Sequence, residues 1–290
     1  MSYPEHLRTR VEDYLEQLRF SQEAATDGLE EAMRYSLLAG GKRIRPVLAL
    51  ATAEALDRDP ADLLPLAAAL ELIHTYSLIH DDLPAMDDDE LRRGRPTCHV
   101  KYGEDIAILA GDGLYAEAFR HLLAHQQAEP KRLLAAAAEL ATATGVNGMV
   151  GGQYIDVRGL VPHGDVGLRR LHELKTGRLI AASVECVLLL TADKEAATRL
   201  PGFRAFAAEL GVLFQIVDDI LDVTGTEDAL GKPQGSDERH GKLTYVSQYG
   251  VDGARRMAAD SQRNALRALQ EAGGAAELEH ITDFIYTRSS

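Results

Sequence analysis

The stretch Leu63-Leu-Pro-Leu-Ala-Ala-Ala-Leu-Glu-Leu-Ile-His-Thr-Tyr-Ser-Leu-Ile-His-Asp-Asp-Leu-Pro-Ala-Met-Asp-Asp-Asp-Glu90 joins a long apolar helix to a knot of acids. From Leu63 to Ile79 apolar residues recur at helical spacing on more than one face, as expected of a helix buried inside a large bundle. Pro65 falls near the helix start, where a missing N–H costs little. Pro84 has no N–H for a helical bond to the carbonyl of His80, so the helix should end or kink there. Positions 81–90 then carry Asp81, Asp82, Asp87, Asp88, Asp89 and Glu90, six acids and no base. A solvated face would intersperse Lys or Arg to relieve this repulsion. The carboxylates are expected to gather at the mouth of an apolar bundle.

The rest of the chain reads the same way. Alanine and leucine, both strong helix formers, dominate its periodic segments. The spacing predicts helices near 4–20, 24–38, 46–57, 61–83, 99–109, 113–127, 130–156, 165–191, 201–224, 243–250, 252–271 and 275–287. No linker, low-complexity block or repeat divides the 290 residues, and no strand-like run precedes a Gly-x-Gly-x-x-Gly turn. One all-α domain over 1–290 is expected. Hydrophobic residues make up 46% and charged residues 26%, a globular composition. Thirty-one Lys and Arg against 45 Asp and Glu give a net charge of −14, which repels phosphate backbones and anionic lipid surfaces. An anionic small substrate stays open, because a local basic pocket or a bound metal reverses the sign. Cys98 and Cys186 cannot make a disulfide framework and read as reduced packing thiols; Cys98 adjoins His99, with no second pair at zinc-finger spacing. The N-terminus has no signal-like apolar run, and no stretch approaches the ~18 uncharged apolar residues of a spanning helix. A cytoplasmic protein with no membrane insertion is expected.

A second acidic cluster closes another apolar helix: Phe214-Gln-Ile-Val-Asp-Asp-Ile-Leu-Asp222. Asp218 and Asp222, four apart, and Asp219 and Asp222, three apart, share one helical side. Either cluster alone could be an ordinary capped, solvated helix end. Two together, each ending an apolar helix, point instead to hard oxygen ligands for Mg²⁺ or Mn²⁺. Carboxylates cannot hold a diphosphate directly, since both are anions; divalent ions between them resolve the repulsion and make the diphosphate a better leaving group. Bases for the outer phosphate oxygens are present beside glycine turns in Gly41-Lys-Arg-Ile-Arg45 and Leu91-Arg-Arg-Gly-Arg95, and at Lys175 and Lys232.

These residues resemble the trans-isoprenyl diphosphate synthases (polyprenyl synthetases), most closely the short-chain bacterial farnesyl-producing members. Asp81-Asp-Leu-Pro-Ala-Met-Asp87 is similar to the family's first aspartate-rich motif in its form with four intervening residues, and Asp218-Asp-Ile-Leu-Asp222 to the second. Gly41-Lys-Arg-Ile-Arg-Pro46, Leu91-Arg-Arg-Gly94, Gly152-Gln-Tyr-Ile-Asp156, Lys175-Thr-Gly177 and Gly231-Lys-Pro-Gln-Gly-Ser-Asp237 match the remaining signatures in order. The resemblance runs from Gly40 to Lys242 and continues weakly beyond. It implies an isoprenoid-synthase fold, a single large helical bundle around a deep apolar central cavity, as a homodimer. It implies Mg²⁺-dependent head-to-tail condensation of isopentenyl diphosphate with an allylic diphosphate, using two or three ions, with Mn²⁺ a possible substitute. By position, Asp81, Asp87 and Asp218 would contact the metals, with Asp82 and Asp222 in or near that shell. Lys42, Arg45, His74 and Arg93 would bind the isopentenyl diphosphate. Arg92, Lys175 and Lys232 would hold the allylic diphosphate, with Lys242 close to it. Thr176 and Gln215 would sit beside the allylic carbon, where their oxygens stabilise positive charge.

In related short-chain enzymes an aromatic residue five before the first aspartate blocks the cavity floor. Tyr76 holds that position, about 7.5 Å below Asp81 along a helix, and favours a C15 product; Ser77 is small and adds no block. The four-residue insert also occurs in geranylgeranyl synthases, so C20 stays open. A terpene cyclase would replace the second aspartate cluster and lack Lys42, Arg45 and Arg93. A non-catalytic partner subunit of a heteromeric prenyl synthase would lose one cluster, and a helical scaffold would not explain the paired bases.

Overall fold

Glycine and proline punctuate the helices, although several breaks fall elsewhere than the periodicity predicts. The computed structural model describes residues 3–161, 165–191, 193, 196–225 and 242–288. Among these residues the helices are α1 (Glu5–Gln17), α2 (Asp27–Leu37), α3 (Ile44–Ala55), α4 (Leu64–Asp81), α5 (Cys98–Tyr102), α6 (Glu104–His125), α7 (Pro130–Thr144), α8 (Met149–Val157), α9 (Asp165–His172), α10 (Arg178–Thr191), α11 (Leu200–Thr224), α12 (Tyr245–Glu271) and α13 (Ala276–Thr287). The strands among them are β1 (Leu91–Arg92) and β2 (Arg95–Pro96), an antiparallel hairpin that periodicity does not announce. All-α architecture holds.

The differences from expectation have physical causes. The sequence predicts a break between 109 and 113, where Gly111 and Gly113 lie, yet α6 runs through both. The break falls at Gly103, whose φ of +94° suits glycine. Gly111 instead admits a neighbour: a Cβ there would lie 2.2 Å from His80 Nε2. The predicted 130–156 helix is interrupted between Thr144 and Met149. The predicted 165–191 helix contains a π-turn, Glu173–Gly177, a distortion often found at functional sites. Gly250, at φ +69°, marks the junction expected between 250 and 252, although both halves belong to α12.

Helix α4 is central, packed between α3 and α6 with α1, α2 and α10 against it. Its residues Leu66–Leu70, Leu72 and Ile73 are all essentially inaccessible to solvent. Two stretches, Pro60–Asp81 and Pro130–Val157, are long and apolar enough by composition to cross a membrane, more than the sequence reading allowed. The first is this core helix. On the far side α11 packs against α12 and α10, and α13 reaches both α11 and α3.

A buried ion network locks the α3 entrance. Arg43, in the left-handed region at φ 52°, donates to Glu71 Oε1 at 2.5 Å, to Glu12 Oε1 at 2.9 Å and to the Leu37 carbonyl at 2.7 Å. Arg43 and Glu71 are 2% and 1% exposed. Burial alone would lower the arginine pKa, but the two glutamates outweigh it and hold the guanidinium charged. Removing one partner of such a pair strands the other charge. Arg43→Met is therefore expected to cost about 3–5 kcal/mol in urea unfolding; a loss below about 1 kcal/mol would show that the pair does not fasten α3 to α4.

Candidate active site

Carboxylates from two distant parts of the chain face one cavity of about 870 Å³. Asp81 is the last residue of α4, and Asp87 lies in the turn that follows. Pro84 ends the helix as expected, and the four intervening residues fold back tightly. The Asp87 N–H donates to the Asp81 carbonyl at 2.9 Å, and Met86 and Asp88 donate to Leu83. That closure brings both side chains to the cavity wall, where Asp218, Asp219 and Asp222 of α11 also stand. Among the described residues no three metal-binding side chains converge closely enough to enclose an ion alone. The donor set still fits a hard divalent cation, whose remaining oxygens would come from a bound diphosphate and water.

Asp82 is set apart from the cavity-lining aspartates. It is buried beside the cavity, with Arg92 Nε bridging its two oxygens at 2.8 and 2.9 Å and Nη2 at 2.5 Å. Its oxygens therefore serve Arg92 first. Burial would lower the Arg92 pKa, but Asp82, Asp81 and Asp89 outweigh it and keep it charged.

Basic groups ring the same mouth. Lys175 Nζ donates to Asp156 Oδ2 at 2.5 Å, and Lys242 Nζ to Asp87 Oδ2 at 2.9 Å. Lys175 and Thr176 ride the π-turn, which approaches α8 so closely that a Cβ on Gly152 would lie 2.3 Å from the Lys175 backbone nitrogen. Arg45 lines the cavity with Nε buried and without a hydrogen-bond partner, its guanidinium 5.8 Å from the Phe214 ring. Arg93 donates to the Gly40 carbonyl and packs where a Cβ on Gly41 would intrude. The exposed Lys42 has its ammonium 5.3 Å from the Phe284 ring. His74 also faces the cavity; burial, then Arg45 and Arg93, push its pKa well below the usual range, so its imidazole is neutral. Lys232 and the Gly231–Asp237 motif lie outside the described residues.

Thr176 Oγ1 donates to Gln215 Oε1 at 2.8 Å, and Gln215 Nε2 donates to Asp219 Oδ1 at 2.7 Å. Tyr76 stands in the wall with its ring edge-on to Tyr115 at 5.0 Å, and Phe119 meets Tyr115 at 5.3 Å. The neighbouring Ser77 donates to the His74 carbonyl at 2.9 Å. Sequence reasoning missed Gln153 and Asp156 as site residues and Tyr115 as the support behind Tyr76, and it grouped Asp219 with the metal-binding carboxylates. Gln153 donates to Asp81 Oδ1 at 2.7 Å; it and Asp156 lie three apart in a motif already noted, which could have singled them out. Nothing local marks Tyr115, which arrives through the packing of α6 on α4.

Burial pushes the Asp81 carboxyl up to about 6; Lys175 pulls down and Asp87 pushes up further. Its folded pKa lies above the unfolded value, so ionisation destabilises the fold, with the cost growing from pH ~4 and complete above pH ~6. Asp81→Asn keeps the acceptor for Gln153 and removes that cost. In metal-free protein the variant is expected to melt above wild type at pH 8, with the gap shrinking towards pH 4.5. Equal melting temperatures at pH 8 would contradict the strain.

Comparison with known proteins agrees with this geometry. The polyprenyl synthetase family model matches residues 26–285. The farnesyl diphosphate synthase of Geobacillus stearothermophilus is 45% identical over 264 residues, covering 90% of this chain and 88% of the relative. Geranylgeranyl pyrophosphate synthase 11 of Arabidopsis thaliana chloroplasts is 45% identical over 269 residues, covering 90% and 74%. The crystal structure of a Helicobacter pylori geranyltransferase, complexed with magnesium and isoprenyl diphosphate, superposes with a TM-score of 0.85 at 31% identity, covering 99% and 98%. With its paired aspartate clusters, its ring of bases and its helical frame, and with this likeness along nearly its whole length, the chain belongs to the polyprenyl synthetase family.

Proposed function

We infer that this chain condenses isopentenyl diphosphate head-to-tail with dimethylallyl and geranyl diphosphates, giving farnesyl diphosphate and free diphosphate. The observation that carries the reading is the meeting of Asp81 and Asp87 with Asp218 and Asp222 at one cavity. In this reading Asp81, Asp87 and Asp218 hold two or three Mg²⁺ ions, replaceable by Mn²⁺, with Asp222 close by and Asp82 acting through Arg92. Bound magnesium neutralises the carboxylate–diphosphate repulsion and polarises the leaving oxygens.

Arg92, Lys175 and Lys242, joined by Lys232, orient the allylic diphosphate and stabilise its departing charge. Lys42, Arg45, His74 and Arg93 hold the second diphosphate; a neutral His74 adds a directional hydrogen bond without another positive charge among the arginines. The two substrates are thereby fixed with the double bond near the ionising carbon, a gain of orientation entropy. The oxygens of Thr176 and Gln215 face the allylic cation, and apolar walls exclude the water that would capture it. Loss of a proton restores a double bond, and the released diphosphate is its acceptor.

The chain works as one polyprenyl synthetase domain in a cytoplasmic homodimer. Exposed apolar side chains on α6, Ile108 at 44% and Leu109 at 51%, are the surface that association would cover. A second reading, geranylgeranyl diphosphate synthesis, is favoured by the equal identity to the Arabidopsis enzyme.

Product analysis by chain length tests both, using labelled isopentenyl diphosphate, Mg²⁺ and each allylic starter. A dominant C15 product is expected; dominant C20 product favours the second reading, and no prenyl transfer overturns both. Tyr76→Ala is expected to shift the product towards C20 and longer chains, because Tyr76 closes the cavity against Tyr115. An unchanged product distribution would remove Tyr76 from that role.

A further inference from the structure

The amide of Gln215 has its two ends assigned by its neighbours. A glutamine can present either end to a partner, but a carboxylate only accepts. The end facing Asp219 is therefore the NH₂ group, 2.7 Å from Oδ1, and the end facing Thr176 is the carbonyl oxygen. Asp219 is 1% exposed, and its other oxygen accepts the backbone N–H of Tyr245 at 2.7 Å. Tyr245 is the first residue of α12 and is buried, its ring stacked on His172 at 5.3 Å. The start of α12, capped by Thr244, also favours a negative charge at this point. Asp219 is thus fixed at one end by a helix terminus and grips Gln215 with the other.

The geometry points to Asp219 as a positioning residue rather than a metal ligand: it turns the Gln215 amide so that oxygen, not N–H, meets the allylic cation. Thr176 spends its proton on Gln215 Oε1, so both Thr176 and Gln215 offer lone-pair density to the cavity. Reversing the amide would set its NH₂ group, in place of the carbonyl oxygen, beside the forming positive charge. The adjacent aspartates then divide the labour, Asp218 serving the metals and Asp219 the cation. This inference rests on the prenyl-transfer reading and adds a role to it.

The test compares wild type, Asp219→Asn and the pair Asp219→Asn with Gln215→Glu, in steady-state condensation with isopentenyl and geranyl diphosphates. The introduced asparagine keeps an acceptor for the Tyr245 N–H but presents NH₂ to Gln215, forcing the amide to reverse. A fall in kcat of about 100-fold is expected, the size associated with losing one preorganised polar group. KM values and half-saturating Mg²⁺ should change less than about threefold. In the pair, the asparagine NH₂ donates to the introduced glutamate, whose other oxygen again accepts from Thr176, and kcat should recover at least about tenfold. A merely structural aspartate would not be rescued this way. Wild-type kcat in the single variant, smaller recovery in the pair, or an Mg²⁺ requirement that rises in step with the loss would each overturn the assignment. If the single variant does not fold, the pair decides alone: kcat within about tenfold of wild type supports the role, and a lower value overturns it. Absence of prenyl transfer by wild type would instead sink the underlying reading.

Discussion

Carboxylates gathered on the wall of one cavity repel, and the architecture around the site is arranged to hold that repulsion in check. Asp81 and Asp87 are tied together by a backbone bond, and Asp218 and Asp222 are fixed by one helix. Among the described residues Lys242 reaches Asp87, Arg92 is taken by Asp82, and Lys175 by Asp156. Burial, opposed by Lys175 and reinforced by Asp87, pushes the Asp81 carboxyl up to about 6, so its ionised form carries a cost in the folded protein. In the proposed reading a divalent ion with a diphosphate would offset that cost. Strain of this kind is stored by a rigid frame, and the buried Arg43–Glu71 pair and the closely packed α4 supply it.

The same site shows how small departures from regular helix aim side chains. The π-turn at Glu173–Gly177 carries Lys175 and Thr176, and Gly152 lets it approach α8. Gly177 in turn packs on Gly211, where an added Cβ would come within 2.9 Å. Each contact depends on a missing side chain in a neighbouring helix. Lys175 and Thr176 are thereby held at the cavity wall beside the aspartates and Gln215.

Much of this was legible in the chain itself. The acidic clusters, the proline that ends α4 and the bases near glycine turns are local signals, because charge patterning and helix-breaking act within a few residues. What could not be read is what packing decides. Gly111 looks like a break and is instead a socket for His80. Asp82 looks equivalent to Asp81 and is claimed by Arg92, ten residues away and across a turn. Asp219 looks like one more ligand until the start of α12 arrives to bind it. Tyr115 carries no motif, and its place behind Tyr76 follows from two helices crossing. Periodicity also cannot tell a straight helix from one with a π-turn, since one extra residue barely alters the pattern.

The central claim is that the two aspartate clusters act together, through shared divalent ions, on one diphosphate. Calorimetric binding of a non-ionising allylic thiolodiphosphate tests it directly, with and without Mg²⁺, in wild type, Asp87→Asn, Asp218→Asn and the double variant. The account requires tight binding only with Mg²⁺, a large loss from either single substitution and little further loss in the double, since both clusters hold the same bridge. Equal affinity without the metal, or losses that simply add, would contradict it.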